Sequence, residues 1–410
     1  MKLLAVSEHY YPRVGGTVNY VHETLCALAK SGVETELLVP GPADKHWLPE
    51  GMAEPPYAVH WLDAGYPAKG DPSREQRYDF CRQVDALAAE RLAGPNRPDI
   101  LHVLFGLFVM EVIDTKRLRL GGVACLATVH NVPPLECRQV APNAPLPARI
   151  KEALRLQVVT LKNRGRLKKH DYDLYICPSQ QVQELLTPVV GDQVGVIGHG
   201  PTTDLQALMV PPVTRRPVGP VRLLTVGGYA PHKCQHIIPN TAARLRDMNI
   251  DFIWEVAGPS GRVKGYRDRI SRDLADLGLE GRVILHDAVP LADLGELYDR
   301  THIYVQPSIE EGFCLTALDA AAVGLPVIGC RAGALPDIIK ASNGIQVKSG
   351  PRPLAEAIAY FVKEECWQDA NVQAAYIKAH FSWTRAAKSL LEHYDRLLFQ
   401  KPSFYVAERI

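Results

Sequence analysis

Residues 307–339 read PSIEEGFCLTALDAAAVGLPVIGCRAGALPDII, from Pro307 to Ile339. An acidic loop, Glu310-Glu311-Gly312-Phe313, stands directly before an apolar helical run that carries Asp319. Gly324-Leu325-Pro326 breaks that helix, and Val327-Ile328-Gly329 reads as a buried strand. A glycine at the mouth of a helix lets a ligand approach the backbone. The amides of the first turn favour negative charge, so a diphosphate suits the spot. The carboxylates of Glu311 and Asp319 would repel an anion that they touched. They read instead as acceptors for neutral hydroxyls, as on a sugar and a ribose.

The ordered features of this stretch are Pro307-Ser308, Glu311-Gly312-Phe313-Cys314, Asp319, Gly324-Leu325-Pro326-Val327 and Ala332-Gly333-Ala334-Leu335-Pro336-Asp337. Together they resemble the signature of the retaining glycosyltransferases of family 4, also described as glycosyl transferases group 1. The resemblance implies an α/β chain of the GT-B type: two Rossmann-like domains with parallel sheets facing across a cleft. This chain departs from the pattern at Cys314 (for Gly), Asp319 (for Glu), Ala332 or Ala334 (for the second Gly of the turn) and Asp337 (for Glu). The remaining structural reading is an ordinary α/β helix with a polar entry loop.

Upstream, Leu3 to Ser7 is a buried-strand run, followed by Gly15-Gly16 and then Val18, Val21, Leu25 and Leu28 at helical spacing. By itself Gly-Gly before a helix is equally a tight turn. In the family the same loop faces the donor, which implies that Gly15 and Gly16 line the cleft. Val123 to His130 is a strand with His130 at its carboxyl end, where ligands gather in open α/β sheets. It resembles the family's Val-His, whose His reaches the transferred sugar. The spacing predicts a helix from about Ser73 to Leu92, and a second over Arg149–Lys169 with Ile150, Leu154, Val158 and Leu161 on one face. The second helix is strongly basic. It reads either as a possible peripheral contact with an anionic membrane carrying a lipid-linked acceptor, or as an amphipathic surface helix. The lack of aromatic anchors favours the surface helix.

The proline-rich segment 209–220 reads as a linker between an N-terminal domain, 1–208, and a C-terminal domain, 221–382. Phe381-Ser382-Trp383 opens a last helix, 383–400, that in the family packs back on the first domain. After the strand Val221–Val226 the family places an Arg and a Lys that clamp the donor diphosphate. Lys233 matches the Lys; Gly228 stands at the Arg position and Cys234 at a usual Gly. Arg262, Arg331 and Arg13 are the candidates to replace that arginine. Arg262 also lies in a loop resembling the family's Gly-x-Gly near the nucleotide.

A length of 410 residues accommodates two full cores. With 47% hydrophobic and 22% charged residues and a net charge of +1, the chain is an ordinary globular one and nothing demands nucleic acid. Its 9 cysteines contain no Cys-x-x-Cys and read as free thiols in a reducing cytoplasm. The apolar run after Met1-Lys2 is too short for a signal-peptide core, and the expected location is cytoplasmic.

The resemblance implies transfer of a hexose-type sugar from a nucleotide sugar, UDP being the commonest base. The acceptor would be a hydroxyl on a glycan, a lipid-linked molecule or a small molecule, with retained configuration. Glu311, Lys233 and His130 are the implied catalytic residues. Gly15, Gly16, Lys233, Gly312, Phe313, Cys314, Leu315, Thr316, Asp319 and Arg262 are the implied donor site. No cofactor and no metal is expected, because no Asp-x-Asp stands beside the site. Two other readings stay open: a degenerate nucleotide-sugar binding protein, suggested by Gly228 and Asp319, and another GT-B enzyme such as a phosphorylase or epimerase.

Overall fold

Short apolar runs rich in Val, Ile and Leu are the signature of strands buried on both faces of a parallel sheet. Thirteen such runs form strands in the computed structural model, which describes residues 1–13, 15–41, 54–67, 71–132, 137–141, 144–168, 171–209, 216–261 and 263–399. The first seven are β1 (Lys2–Ser7), β2 (Glu34–Pro40), β3 (Ala58–Leu62), β4 (Ile100–Phe105), β5 (Ala124–Thr128), β6 (Leu174–Cys177) and β7 (Val194–Val196). They make one sheet in the order β3-β2-β1-β4-β5-β6-β7. The other six are β8 (Val221–Val226), β9 (Phe252–Ala257), β10 (Val283–Leu285), β11 (Ile303–Gln306), β12 (Val327–Cys330) and β13 (Ile345–Val347). Their order is β10-β9-β8-β11-β12-β13.

Every pairing in both sheets is parallel. Each sheet therefore starts in its middle, grows to one edge, returns, and grows to the other. This is the doubly wound plan expected from the sequence. Residues 210–215 of the expected linker lie outside the described residues.

The helices begin where their local chemistry directs. Ser73 caps the helix Arg74–Ala93 in a reciprocal box with Gln76. Ser179 caps Gln180–Val190 by accepting from the amide of Val182. The last helix, Trp383–Phe399, returns to the first sheet. Tyr394 donates to or accepts from His102 Nδ1 at 2.7 Å, and the Trp383 indole donates to the Pro201 carbonyl at 2.7 Å. A Cβ on Gly200 would strike the Trp383 amide, so only glycine admits that helix so closely. One apolar cluster runs continuously through both halves, joining Leu25 and Tyr20 to Phe313, Leu318 and Trp383.

Candidate active site between the two sheets

In each sheet the strand order reverses once, between β1 and β4 and between β8 and β11. Ligands of open α/β sheets bind outside the carboxyl ends of the strands at such points. The loops that leave those ends carry Gly15–Gly16 and His130 on one side, and Lys233 and the 307–316 stretch on the other.

Glu311 is the centre of the second group. It is 2% exposed, yet it is held ionised. Lys233 Nζ donates to both of its oxygens, at 2.8 and 2.7 Å, and Gln306 Nε2 donates to Oε1 at 3.0 Å. Burial works to raise its pKa, but Lys233 and the Ser308 hydroxyl outweigh burial and hold it below the ordinary carboxylate value. Next to it, burial and the Lys233 charge bring His232 down to about 4, so that imidazole is neutral.

His130 sits against the same loop from the first half. A Cβ on Gly312 would collide with the His130 carbonyl, which is why the position after Glu311 takes no side chain. Ser179, also from the first half, donates to the Gly312 carbonyl at 2.8 Å. The His130 ring packs edge-on against Tyr20, and its Nε2 lies 3.0 Å from the Leu104 carbonyl. A carbonyl only accepts, so the ring proton is on Nε2 and Nδ1 carries a lone pair. Burial pulls His130 down to about 4, which keeps it neutral.

Gly15, at φ 152°, precedes the helix Gly16–Lys30, and a Cβ on Gly16 would touch Leu315 Cδ1 at 3.4 Å. The glycine loop therefore faces the mouth of the helix Leu315–Ala322. Cys314 adopts the left-handed backbone that favours glycine, at φ 84°, and its side chain is buried. Phe313 packs against His199 with the rings tilted by 37° and centroids 4.3 Å apart. The Thr316 hydroxyl is used beneath the site, donating to the Val226 carbonyl and accepting from Tyr304. The side chains of Phe313, Cys314, Leu315 and Thr316 thus go into packing. What this stretch offers a ligand is the amide end of a helix.

Both oxygens of Asp319 are engaged across the halves, Oδ1 by the Thr202 amide at 2.7 Å and Oδ2 by the Thr202 hydroxyl at 3.1 Å. Aspartate is one methylene short of glutamate, and here its carboxyl joins the two halves. Glu23 holds the next residue in the same way, accepting from the Thr203 amide and hydroxyl at 2.6 and 2.7 Å.

Of the arginines expected to replace the one missing at Gly228, Arg262 lies outside the described residues, Arg331 is exposed, and Arg13 is half-buried with its charge felt at Glu8. The structure brings in another that the sequence did not single out. Arg138, from the first half, donates through Nε and Nη2 to Glu310 Oε1 at 3.1 and 3.0 Å, and its charge is felt at His232. It lies in a segment with no periodicity and no motif, so only the tertiary fold reveals it. Gln306 stands just before the quoted stretch and Ser308 within it; their value as partners of Glu311 follows from the strand end that aims them.

A double Rossmann-like arrangement with a cation–carboxylate pair and a helix mouth in the intervening cleft is that of a GT-B glycosyltransferase. The family described as Glycosyl transferases group 1 matches residues 211–380, and Glycosyltransferase Family 4 matches residues 14–205. The chain belongs to this family of glycosyltransferases. A relative from Frankia alni, named D-inositol 3-phosphate glycosyltransferase, is 27% identical over 94% of this chain and 95% of its own length. One of the same name from Thermobifida fusca is 30% identical over 45% of this chain, a match spanning less than half, 44%, of its own length. Among solved structures, sucrose-phosphate synthase from Thermosynechococcus elongatus superposes with a TM-score of 0.76 at 21% identity, over 98% of this chain and 100% of that one. An Anabaena protein in complex with UDP and glucose superposes with a TM-score of 0.64 at 15% identity, over 97% and 100%.

Proposed function

We propose that this chain transfers a hexose-type sugar from a nucleoside diphosphate sugar, with UDP as the base, to a hydroxyl of a glycan, lipid-linked or small-molecule acceptor. The observation that carries this reading is the buried pair of Lys233 and Glu311 beside the amide end of Leu315–Ala322, facing Gly15–Gly16. Within this pair each charge compensates the other. An incoming diphosphate competes for Lys233, and the freed Glu311 then accepts from sugar hydroxyls. Neutral His130 accepts through Nδ1 from another hydroxyl of the sugar. As the anomeric C–O bond to the diphosphate breaks, negative charge grows on the leaving oxygen. Lys233 and the helix amides stabilise that charge more in the transition state than in the ground state. The acceptor oxygen forms its bond on the same face of the sugar, and its proton passes to the leaving phosphate. Configuration is thereby retained, with no separate protein base and no metal required.

The relatives named as glycosyltransferases and the Anabaena complex with UDP and glucose support the reaction class and the choice of UDP. Gly228 and the engaged Asp319 favour one other reading, a nucleotide-sugar binding protein without transfer.

Calorimetric titration with UDP, GDP and ADP, each with and without Mg²⁺, separates these. Tight, metal-independent binding of UDP is expected. Lys233→Ala should weaken it strongly, and equal UDP affinity in that variant would sink the phosphate site. Glu311→Gln should leave UDP affinity nearly unchanged while lowering turnover by about a hundredfold or more. UDP binding without sugar transfer to any acceptor in a hydroxyl-compound screen would favour the binding protein.

A further inference from the structure

The helix Leu146–Leu167 points the wrong way for an ordinary amphipathic surface helix. Leu156 and Leu167 are its buried apolar side chains, on the face that meets the rest of the first half. The stripe Leu146, Ile150, Leu154, Val158 and Leu161 faces solvent instead, at 54–72% exposure. These residues recur at helical spacing, so they form one continuous apolar strip rather than scattered exposed positions.

The same helix is strongly basic. From Leu146 to Lys168 it carries Arg149, Lys151, Arg155, Lys162, Arg164, Arg166 and Lys168 against a single acid, Glu152. Lys151 and Lys162 flank the apolar strip by helical geometry. Beside the strip runs a groove of about 760 Å³ whose walls include Ile150, Leu161, Val140 and Arg138. Arg138 is the residue that reaches Glu310, next to Glu311, so the groove leads from the exposed strip to the edge of the cleft.

We propose that this face docks on an anionic lipid bilayer, with the apolar strip in the acyl boundary and the basic side chains at the headgroups. Charge complementarity selects this occupant over a second copy of the chain. Two such helices face to face would bring like basic charge together, whereas anionic headgroups neutralise it. Among the described residues no helix is long and apolar enough to cross a membrane, so the contact is interfacial. Resting on the transferase reading, the groove brings a lipid-linked acceptor hydroxyl to the cleft without its leaving the surface.

The test uses the full chain and vesicles of phosphatidylglycerol mixed with phosphatidylcholine, against phosphatidylcholine alone. Sedimentation with the anionic vesicles only, weakening as salt is raised, is expected. The paired variants Leu154→Glu/Leu161→Glu and Lys151→Glu/Lys162→Glu change exposed positions. Each should lower vesicle binding by about tenfold or more while UDP affinity and melting temperature stay those of the wild type. Failure of the wild type to bind anionic vesicles overturns the proposal, as does equal binding by both variants. A wild-type dimer that the leucine variant alone dissociates, with no vesicle binding, assigns the face to a second copy and also overturns it. Loss of UDP binding in the wild type would count against the transferase reading and leave the vesicle result standing.

Discussion

Burial pushes the Asp319 carboxyl up to about 7, the Thr202 bonds working against it and Glu23 with it. Glu8, buried at the end of β1 and 3.3 Å from Arg77, is raised to about 7 by burial as well. Both acids bind their protons more tightly folded than unfolded. Their contribution to stability is full below the ordinary carboxylate range and falls as pH rises through about 7. Asp319→Asn keeps an acceptor for the Thr202 amide and a donor for its hydroxyl, without the charge. Thermal melts from pH 5 to pH 8 should therefore show the variant near wild type at the acid end and a few degrees more stable at the alkaline end, as the linkage sign requires. A loss confined to the alkaline end would mean that the charge itself holds the junction. Lys233→Ala, beyond its effect on nucleotide, strands the buried Glu311 and should cost about 3 kcal/mol in chemical denaturation.

A helix can be written into the sequence while its destination is not. Phe381-Ser382-Trp383 announced the last helix, and only the family resemblance implied that it packs back on the first domain. Its return across the chain to the first sheet depends on three fits: Tyr394 to His102, Trp383 to Pro201, and the bare backbone of Gly200. His102 is fully buried, kept neutral by burial, and bonded at its other nitrogen to Thr128. Tyr394→Phe leaves one imidazole nitrogen unsatisfied, and should cost about 1–3 kcal/mol in urea unfolding with UDP affinity kept. The helix Leu146–Leu167 shows the opposite case. Its period was legible, yet a period says only that one side is apolar. Whether that side meets the core or the solvent is set by which face the neighbouring elements cover.

At the level of the whole molecule, the halves meet through Asp319–Thr202, Ser179–Gly312 and Arg138–Glu310, all bordering the cleft. A ligand that bridges Lys233 and the helix amides to the Gly15–Gly16 loop binds the assembled molecule and not the unfolded chain. Saturating UDP should therefore stabilise it by linkage, by about 2.7 kcal/mol at a hundredfold excess over the dissociation constant, and a thermal-shift titration reads this directly. Arg138→Ala should raise the concentration of donor needed for half-maximal turnover more than it lowers turnover, if its charge assists binding across the cleft. An unchanged steady-state profile would confine Arg138 to its pairing with Glu310.

By itself the sequence determined whatever is local or periodic. Strand runs such as Leu3 to Ser7 and Val221–Val226 were legible because side-chain pattern dictates which segments must be buried. Gly312 was legible as a close approach, and Glu311 and Lys233 as a carboxylate and a cation of one site, because the chemistry needs those groups on motif-bearing loops. Only the tertiary structure decided what depends on two distant segments meeting. It set Asp319 against Thr202, because a carboxylate one methylene shorter is satisfied by the nearest donors. It brought Arg138 to Glu310 from a loop without a pattern. It also left the strip from Leu146 to Leu161 facing outward, since burial belongs to a pair of surfaces and a sequence shows only one of them.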